Sequence, residues 1–307
     1  VNGVRESVEA AAFKEFRGAF VGLLGRPTEI PEDDLQAFTD FALGITPPPN
    51  PLRALDNSLT PSQQLGQQIY FDEITTGGNL VCNDCHTLDP ARKQFGTGGQ
   101  VADEGPGITE DFKGPHFRNL YTKVGMFGLS ANDFIGEGAH MGPQVRGFGF
   151  LHDGSVDTLD HFFSAVQFNL AADDARRGAV VDFVMAADSN LAPIVGQQVT
   201  LDASLRYVTA VARLDLMLSR ALAGGDRPEC DLIVAGVIGG ARRSALLRED
   251  GFFHLDTDSA QPLSVVEVKR LAKQPGRAFT FTGVPPGSGV RLALDRDGDG
   301  VLNFDEA

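Results

Sequence analysis

The sequence predicts a mainly α-helical chain with a helical N-terminal extension and a small β-rich domain at its carboxyl end. Apolar residues recur at three- and four-residue steps in several segments before residue 225, as in amphipathic helices. After residue 226 the pattern changes to short β-rich runs separated by glycine and proline, which is typical of strands joined by turns. These observations divide the 307 residues into three regions, 1–58, 59–225 and 226–307.

Two helices are predicted in the first region, over residues 4–24 and 31–43. In the second of these, Pro31 and the three acidic residues after it suit a helix N-terminus. The proline-rich stretch TPPPNP at 46–51 then breaks the helical pattern.

The middle region combines helices with a long glycine-rich stretch. Thr60 is a suitable N-cap and Pro61 a suitable first helical residue, so a helix is expected to begin there. Residues 96–157 are expected to be mostly loop. Helices resume with Thr158 as a cap and continue to the stop signal at Gly224.

Composition indicates a globular protein and excludes some partners. Hydrophobic residues make up 42% of the chain, which is enough for a proper core. The formal net charge is −15, which argues against nucleic acids and against an anionic membrane surface. No apolar run approaches the roughly 18 residues that a membrane span requires.

The stretch NLVCNDCHTLDP contains two of the three cysteines, Cys82 and Cys85, followed directly by His86. CxxCH is the attachment signature of a c-type haem, because one backbone turn presents both thiols to a porphyrin and carries the histidine beneath the iron. A zinc site would need a second ligand pair, and a redox dithiol a preceding βαβ pattern. Neither is visible, so the sequence predicts one covalent haem c.

A c-type haem predicts export to the periplasm or the extracellular space, because bacteria attach this group outside the cytoplasm. The chain begins VNGVRESVEAAAF, without a basic start and apolar core, so we expect a mature protein or a part of a longer one. The remaining cysteine, Cys230, is expected to be buried; pairing with another chain is the alternative.

Several motifs together resemble the C-terminal haem domain of the bacterial di-haem cytochrome c peroxidases and their relatives. They are FDE followed by CNDCH, then FKGPHFRNLYTKVGMFG, then FGFLHDGSVDTLDHFF, within residues 59–185. The matching positions are Phe112, Lys113, Pro115, Arg118, Asn119, His152, Asp153, Gly154, Thr158 and Leu159. The resemblance implies a cytochrome c-like haem domain within residues 59–225.

The chain departs from that family in two ways. It has one CxxCH motif where the family has two, and residues 128–149 resemble an insertion. Peroxidase chemistry by the family's route is therefore not implied. The expected function is an exported one-haem electron carrier, not an enzyme, that serves an unidentified redox partner protein. The alternatives are a peroxidase-like enzyme with an open distal site and a haem module of a larger extracellular assembly.

The sixth iron ligand decides between these functions, because a methionine closes the site for electron transfer whereas an open site can bind oxidants. Met126 is the preferred ligand, since glycines flank it in VGMFG and let the backbone approach the ring. Met141, His140 and His152 remain open as alternatives. Arg118 is expected to bind a haem propionate, or else to be an exposed surface arginine.

The chain ends in DRDGDGVLNFDE, which matches the EF-hand calcium loop at every defined position. The predicted calcium ligands are Asp295, Asp297, Asp299, Val301 through its carbonyl, Asn303 and Glu306. A strand is expected before this loop, and the chain stops one residue after it. The sequence therefore predicts a single calcium loop that stabilises a β domain, without a signalling role.

Overall fold

The computed structural model describes residues 10–76, 78–92, 94–98, 101–102, 111–125, 147–204, 206–223 and 228–306. The chain divides into two compact units, with the boundary between Pro47 and Pro48. None of the helices in the described ranges combines the length and the apolar character that crossing a membrane requires. The division into regions at residues 58 and 225 stays a prediction.

The first unit consists of short helices that share phenylalanine contacts. Residues 10–14 are helical, and α1 (Arg17–Gly22) and α2 (Glu32–Gly44) follow. The predicted helix over 31–43 is confirmed, with three acidic residues in the first turn of α2. Phe38 on α2 makes edge-on ring contacts with Phe13 and Phe20, at 5.3 and 6.0 Å between centroids.

The part of the second unit that contains the CxxCH motif is built from helices and two-stranded ribbons. Its helices are α3 (Pro61–Asp72), α4 (Cys82–Cys85), α5 (Leu159–Phe163) and α6 (Asp174–Met185). The ribbons are β1 (Leu88–Asp89) with β2 (Gln94–Phe95), and β3 (Val101–Ala102) with β4 (Phe112–Lys113). Single 3₁₀ turns lie at Pro90–Arg92 and Leu120–Thr122.

Helices α3 and α6 cross at very close range. The predicted start of α3 is confirmed, since Thr60 forms a capping box with Gln63 and a proline opens the helix. A Cβ atom on Gly66 would lie 1.9 Å from the carbonyl oxygen of Ala179, so the crossing accepts only glycine. The buried residues around it include Ile69, Tyr70, Phe117, Leu170, Val180 and Phe183.

The rest of the second unit is built on a six-stranded antiparallel sheet. Its strands are β5 (Gln198–Asp202), β6 (Asp231–Ile238), β7 (Ala241–Leu247), β8 (Phe252–Leu255), β9 (Leu263–Ser264) and β10 (Ala278–Val284), in the order β5-β10-β6-β7-β8-β9. Helices α7 (Tyr207–Ala221) and α8 (Val265–Ala272) contribute Leu214, Met217 and Val268 to the core of the sheet. Cys230 lies in this core and is 1% exposed, so its predicted burial is confirmed.

The last part of the chain covers the opposite face of the sheet. Along β7, Ala245 and Leu247 belong to the main core, whereas Leu246 packs with Ala293 and Leu294. Successive side chains of a strand point to opposite faces, so these contacts lie on the second face. Ala293 and Leu294 belong to a π-helix, Val290–Leu294, that leads into the acidic loop, so the strand expected before the loop is wrong.

The predicted mainly α, cytochrome c-like fold with only a small β-rich domain is wrong. Helices make up 36% of the structure and strands 17%, and the strands include a curled six-stranded antiparallel sheet. That sheet starts at β5, within the region predicted to be mainly helical. Its Thr200 hydroxyl lies 2.9 Å from that of Thr280, 80 positions later in sequence. Local periodicity cannot reveal a pairing between segments so far apart.

Candidate metal centres

The CxxCH motif folds as the single helical turn α4. The amide of Val81 donates to Asp84 Oδ2 at 3.0 Å, which fixes the start of the turn. The amide of His86 donates to the carbonyl oxygen of Cys82 at 2.9 Å, which closes it. Cys82 is half-buried, Cys85 is exposed, and both thiols are free. One turn of backbone therefore presents both thiols, and the histidine follows at its end.

The His86 ring has a defined tautomer in this structure. Its Nδ1 lies 3.2 Å from the carbonyl oxygen of Gly96, and because a carbonyl can only accept, Nδ1 donates. The lone pair is then on Nε2. Burial lowers the pKa of His86, and the bond to Gly96 opposes this shift only in part. A neutral imidazole with Nε2 free of a proton is the form that binds a metal ion.

The β1–β2 ribbon brings Gly96 beside His86. Leu88 pairs with Phe95, and the amide of Gly96 donates to the carbonyl of Thr87 at 2.9 Å. Gly96 has a φ of +99°, and a Cβ atom there would lie 2.6 Å from the ring of Phe117. Only glycine therefore fits at this position, which explains one residue of the glycine-rich stretch.

Two aromatic residues that the sequence analysis did not single out support His86. The ring of Phe117 lies 5.2 Å from that of His86, at 32° between planes. The hydroxyl of Tyr70 donates to the carbonyl oxygen of His86. Burial raises the pKa of Tyr70, so this hydroxyl keeps its proton. In the sequence, Tyr70 stands in an apolar helical stripe that gives no sign of the hydrogen bond.

The surroundings of the thiols fit a covalently attached porphyrin. Cys82 Sγ lies 3.2 Å from the hydroxyl of Thr75, and burial raises the pKa of this thiol. Next to the motif in sequence, Leu80 is 41% exposed, and Ile74 is 52% exposed. Free thiols, a neutral imidazole and accessible apolar side chains are the donor set and the surface that a haem c requires.

The preferred sixth ligand, Met126, lies outside the described residues, as do the alternatives Met141 and His140. His152 is described: it is exposed, and its ring stacks on Phe112 at 4.2 Å and 14° between planes. Two segments that carry the family resemblance, FK at 112–113 and HDG at 152–154, are therefore in contact. The sixth ligand stays a prediction.

Arg118 is half-buried close to the His86 pocket. Its guanidinium carbon lies 4.8 Å from the ring centroid of Phe95, the residue before Gly96. Phe95 also accepts a hydrogen bond on its carbonyl oxygen from the amide of Phe117, at 2.6 Å. The arginine therefore belongs to the same set of contacts as His86, and its role as a propionate partner stays a prediction.

The acidic loop brings three of its predicted ligands together. Asp295, Asp297 and Asp299 each place a carboxylate oxygen within 4.8 Å of the others. Backbone amides hold them, since Gly298 and Gly300 both donate to Asp295, at 2.7 and 3.0 Å. Both glycines have positive φ, +79° and +89°, as the sharp turns of such a loop require.

The other predicted calcium ligands are Val301, Asn303 and Glu306. Among the described carboxylates, that of Glu306 is not part of the group. Asn303 uses its side-chain oxygen to accept from the amide of Arg296 at 2.9 Å. Val301 donates its amide to Asp299 at 2.8 Å. The three carboxylates of the first half of the pattern thus lie together, and the calcium site as a whole stays a prediction.

The end of the loop is attached to the sheet by side chains outside the calcium pattern. Asp305 accepts from the hydroxyl of Thr257 and from the amide of Asp258, the latter at 2.8 Å. Hydrogen bonding from Thr257 lowers the pKa of Asp305. Arg243, in a buried ion pair with Asp256, places its guanidinium 3.8 Å from the centroid of the neighbouring Phe304 ring.

Comparisons with known proteins do not indicate a function, so a functional proposal has to rest on the two candidate sites. No family model matches the chain, and no curated protein matches it. Among solved structures, the chain is similar to Kuenenia stuttgartiensis hydrazine synthase pressurised with 20 bar xenon. The identity is 19%, the match covers 55% of this chain and 60% of that chain, and the TM-score is 0.36. A similarity at this level carries no argument about function.

Proposed function

We propose that the protein is an exported c-type cytochrome that carries electrons through one covalently bound haem. The observation that supports this most directly is the CxxCH turn, in which His86 donates from Nδ1 to Gly96 and keeps Nε2 available. Export to the periplasm or the extracellular space follows from the same assignment, because bacteria attach haem c outside the cytoplasm. From the resemblance to the di-haem cytochrome c peroxidases, the proposal uses only the CxxCH motif.

Each residue of the motif has a separate task. The thiols of Cys82 and Cys85 would form the two thioethers, and Nε2 of His86 would bind the iron. When bound, the haem would supply reversible one-electron chemistry. Gly96 keeps the imidazole in the required tautomer, and a hydrogen bond on Nδ1 raises the basicity of the ligand. Arg118 would neutralise a propionate.

The primary test is whether the haem remains on the protein in acidified organic solvent. Retention is expected, because thioethers survive that treatment. Free extraction would show that the assignment to Cys82 and Cys85 is wrong. The expected stoichiometry is one haem per chain, because the sequence contains one CxxCH motif.

Visible spectra of both oxidation states test the proposed electron-transfer function. A low-spin, six-coordinate iron in both states is expected. Met126→Ala should abolish the weak Met–iron charge-transfer band and open the site to carbon monoxide or cyanide. If Met141→Ala abolishes the band instead, Met141 is the ligand. If the wild type binds carbon monoxide rapidly and consumes peroxide, the peroxidase-like alternative replaces the carrier.

We also propose that the loop from Asp295 to Glu306 binds Ca²⁺. The support is the complete sequence pattern together with the three convergent carboxylates. Carboxylate and carbonyl oxygens are the ligands that this cation prefers. The role proposed for the ion is structural, because the loop is attached to the sheet through Asp305 and Phe304.

A further inference from the structure

Tyr70 reaches the haem motif from a helix that lies outside it. The residue is on α3 and is 1% exposed. Its hydroxyl donates to the carbonyl oxygen of His86, 16 positions later in sequence. The ring cannot move freely, because Phe183 on α6 lies 5.4 Å from it and Phe117 lies 6.1 Å from it.

The accepting carbonyl is one that the helical turn itself leaves without a partner. His86 has φ −105° and ψ 61°, outside the helical region, and the last carbonyls of any helix have no intrahelical donor. The Tyr70 hydroxyl supplies that donor. It therefore fixes the peptide plane between His86 and Thr87.

Thr87, which follows this peptide, is connected to the imidazole through two hydrogen bonds of Gly96. The carbonyl of Thr87 accepts from the amide of Gly96 at 2.9 Å, and the carbonyl of Gly96 accepts from Nδ1 of His86 at 3.2 Å. A rotation of the peptide between His86 and Thr87 therefore shifts Gly96 relative to the ring. Phe117 contacts both the Tyr70 ring and the His86 ring, so the same movement is transmitted through packing.

We propose, on the basis of the haem attachment proposed above, that Tyr70 is a positioning residue for His86. Its hydroxyl holds the backbone so that Nδ1 keeps a well-aligned hydrogen bond to Gly96. That bond would make the imidazole a stronger donor to the iron of a bound haem and so favour the ferric over the ferrous state. Tyr70 would thus help to set the reduction potential without touching the iron.

The test is Tyr70→Phe in the haem-loaded protein, which removes the hydroxyl and keeps the ring. We expect one haem per chain as before and a reduction equilibrium shifted about tenfold towards the ferrous state, the lower end of the range by which losing an outer-shell partner changes metal affinity or activity. Tenfold corresponds to about 59 mV for one electron. The g values of the ferric electron paramagnetic resonance spectrum should shift too, because they report the orientation of the imidazole.

Tyr207→Phe is the matched control. Its hydroxyl also donates to a backbone carbonyl, that of Lys269 at 3.2 Å, but this bond joins α7 to α8. This variant should keep the wild-type potential and g values. If Tyr70→Phe changes them no more than Tyr207→Phe does, the inference is overturned.

Two further outcomes are distinguishable. If the wild type carries no covalent haem, the proposed function fails, and the role of Tyr70 fails with it. If only Tyr70→Phe lacks haem, nuclear magnetic resonance of the ferrous wild type decides. A slowly exchanging Tyr70 hydroxyl proton close to the backbone of Thr87 is expected, and its absence would overturn the inference.

Discussion

The surroundings of His86 and the acidic loop after Asp295 hold their candidate ligands in opposite ways. His86 is held by groups distant in sequence, namely the hydroxyl of Tyr70 and the carbonyl of Gly96. The carboxylates of the loop accept from amides two to five positions away, such as those of Gly298 and Gly300. The first arrangement depends on tertiary packing, whereas the second is mostly local.

The electrostatic state of the two regions differs as well. The imidazole is neutral and half-buried, so it needs no counter-charge before a metal ion binds. The loop has three carboxylates within 4.8 Å of one another, and they repel each other unless a cation lies between them. Substitutions far from the CxxCH motif should therefore perturb the surroundings of His86, whereas the loop should respond mainly to the supply of cations.

The largest effect is expected from Cys85→Ala. This thiol is exposed, so its removal leaves the packing of the apoprotein intact. Loss of one thioether should nevertheless abolish nearly all stable holoprotein, as measured by haem absorbance of purified chains. Cys230→Ala is the control. Because Cys230 lies in the sheet core, this variant should keep the wild-type haem content. Normal haem loading of Cys85→Ala would contradict the proposed attachment.

The buried ion pair of the sheet comes next. Asp256→Asn should lower the free energy of unfolding by about 3–5 kcal/mol, because it removes the buried carboxylate that pairs directly with the buried guanidinium of Arg243. Asp250→Asn is the control: Asp250 pairs with His254 at 2.7 Å on the surface, where such pairs contribute about 0–1 kcal/mol. Denaturant unfolding monitored by circular dichroism measures both. Equal effects would show that Arg243 and Asp256 do not support the sheet.

A smaller effect is expected at the helix crossing next to the haem motif. Gly66→Ala should destabilise the protein by about 1–3 kcal/mol, because its Cβ cannot fit beside Ala179. Gly178→Ala, on α6 with open space around its Cβ, should instead be neutral or stabilise by about 0.5–1 kcal/mol. Thermal unfolding of the holoprotein distinguishes them. If both variants behave alike, α3 and α6 are not in backbone contact.

The same contrast explains what could be predicted from the sequence. The CxxCH turn, the cap at Thr60 and the carboxylates of Asp295, Asp297 and Asp299 lie within short stretches, and local rules found all of them. The pairing of β5 with β10 was missed because the partners are 80 positions apart at Thr200 and Thr280.

The supporting residues of both sites escaped prediction for the same reason. Tyr70 was part of an apolar helical stripe, which predicts burial and says nothing of a hydroxyl bonded to His86. The ion pair of Arg243 with Asp256 joins β7 to the residue that follows β8, and the register of these strands is set only by folding. A motif can therefore be recognised locally, whereas the groups that orient it depend on the tertiary structure.

The smallest predicted effect concerns calcium. Three carboxylates repel one another in the folded loop, and a bound cation removes that repulsion. If Ca²⁺ binds the folded loop and not the unfolded chain, as proposed, it stabilises the fold by mass action. With dissociation constants of roughly 10⁻⁴ to 10⁻³ M for extracellular modules, about 2 mM calcium should add about 0.6–1.8 kcal/mol.

Melting of the holoprotein with calcium and with a chelator measures this effect. The chelator should lower the melting temperature of the sheet and leave the haem spectrum unchanged, because Asp305 and Phe304 connect the loop to the sheet and not to His86. Asp297→Ala should remove the calcium dependence, whereas Asp250→Ala, an exposed aspartate elsewhere in the sheet region, should keep it. Melting that is indifferent to calcium from micromolar to millimolar would mean that the loop is a solvated acidic segment, held in place by Asp305 and Phe304 without an ion.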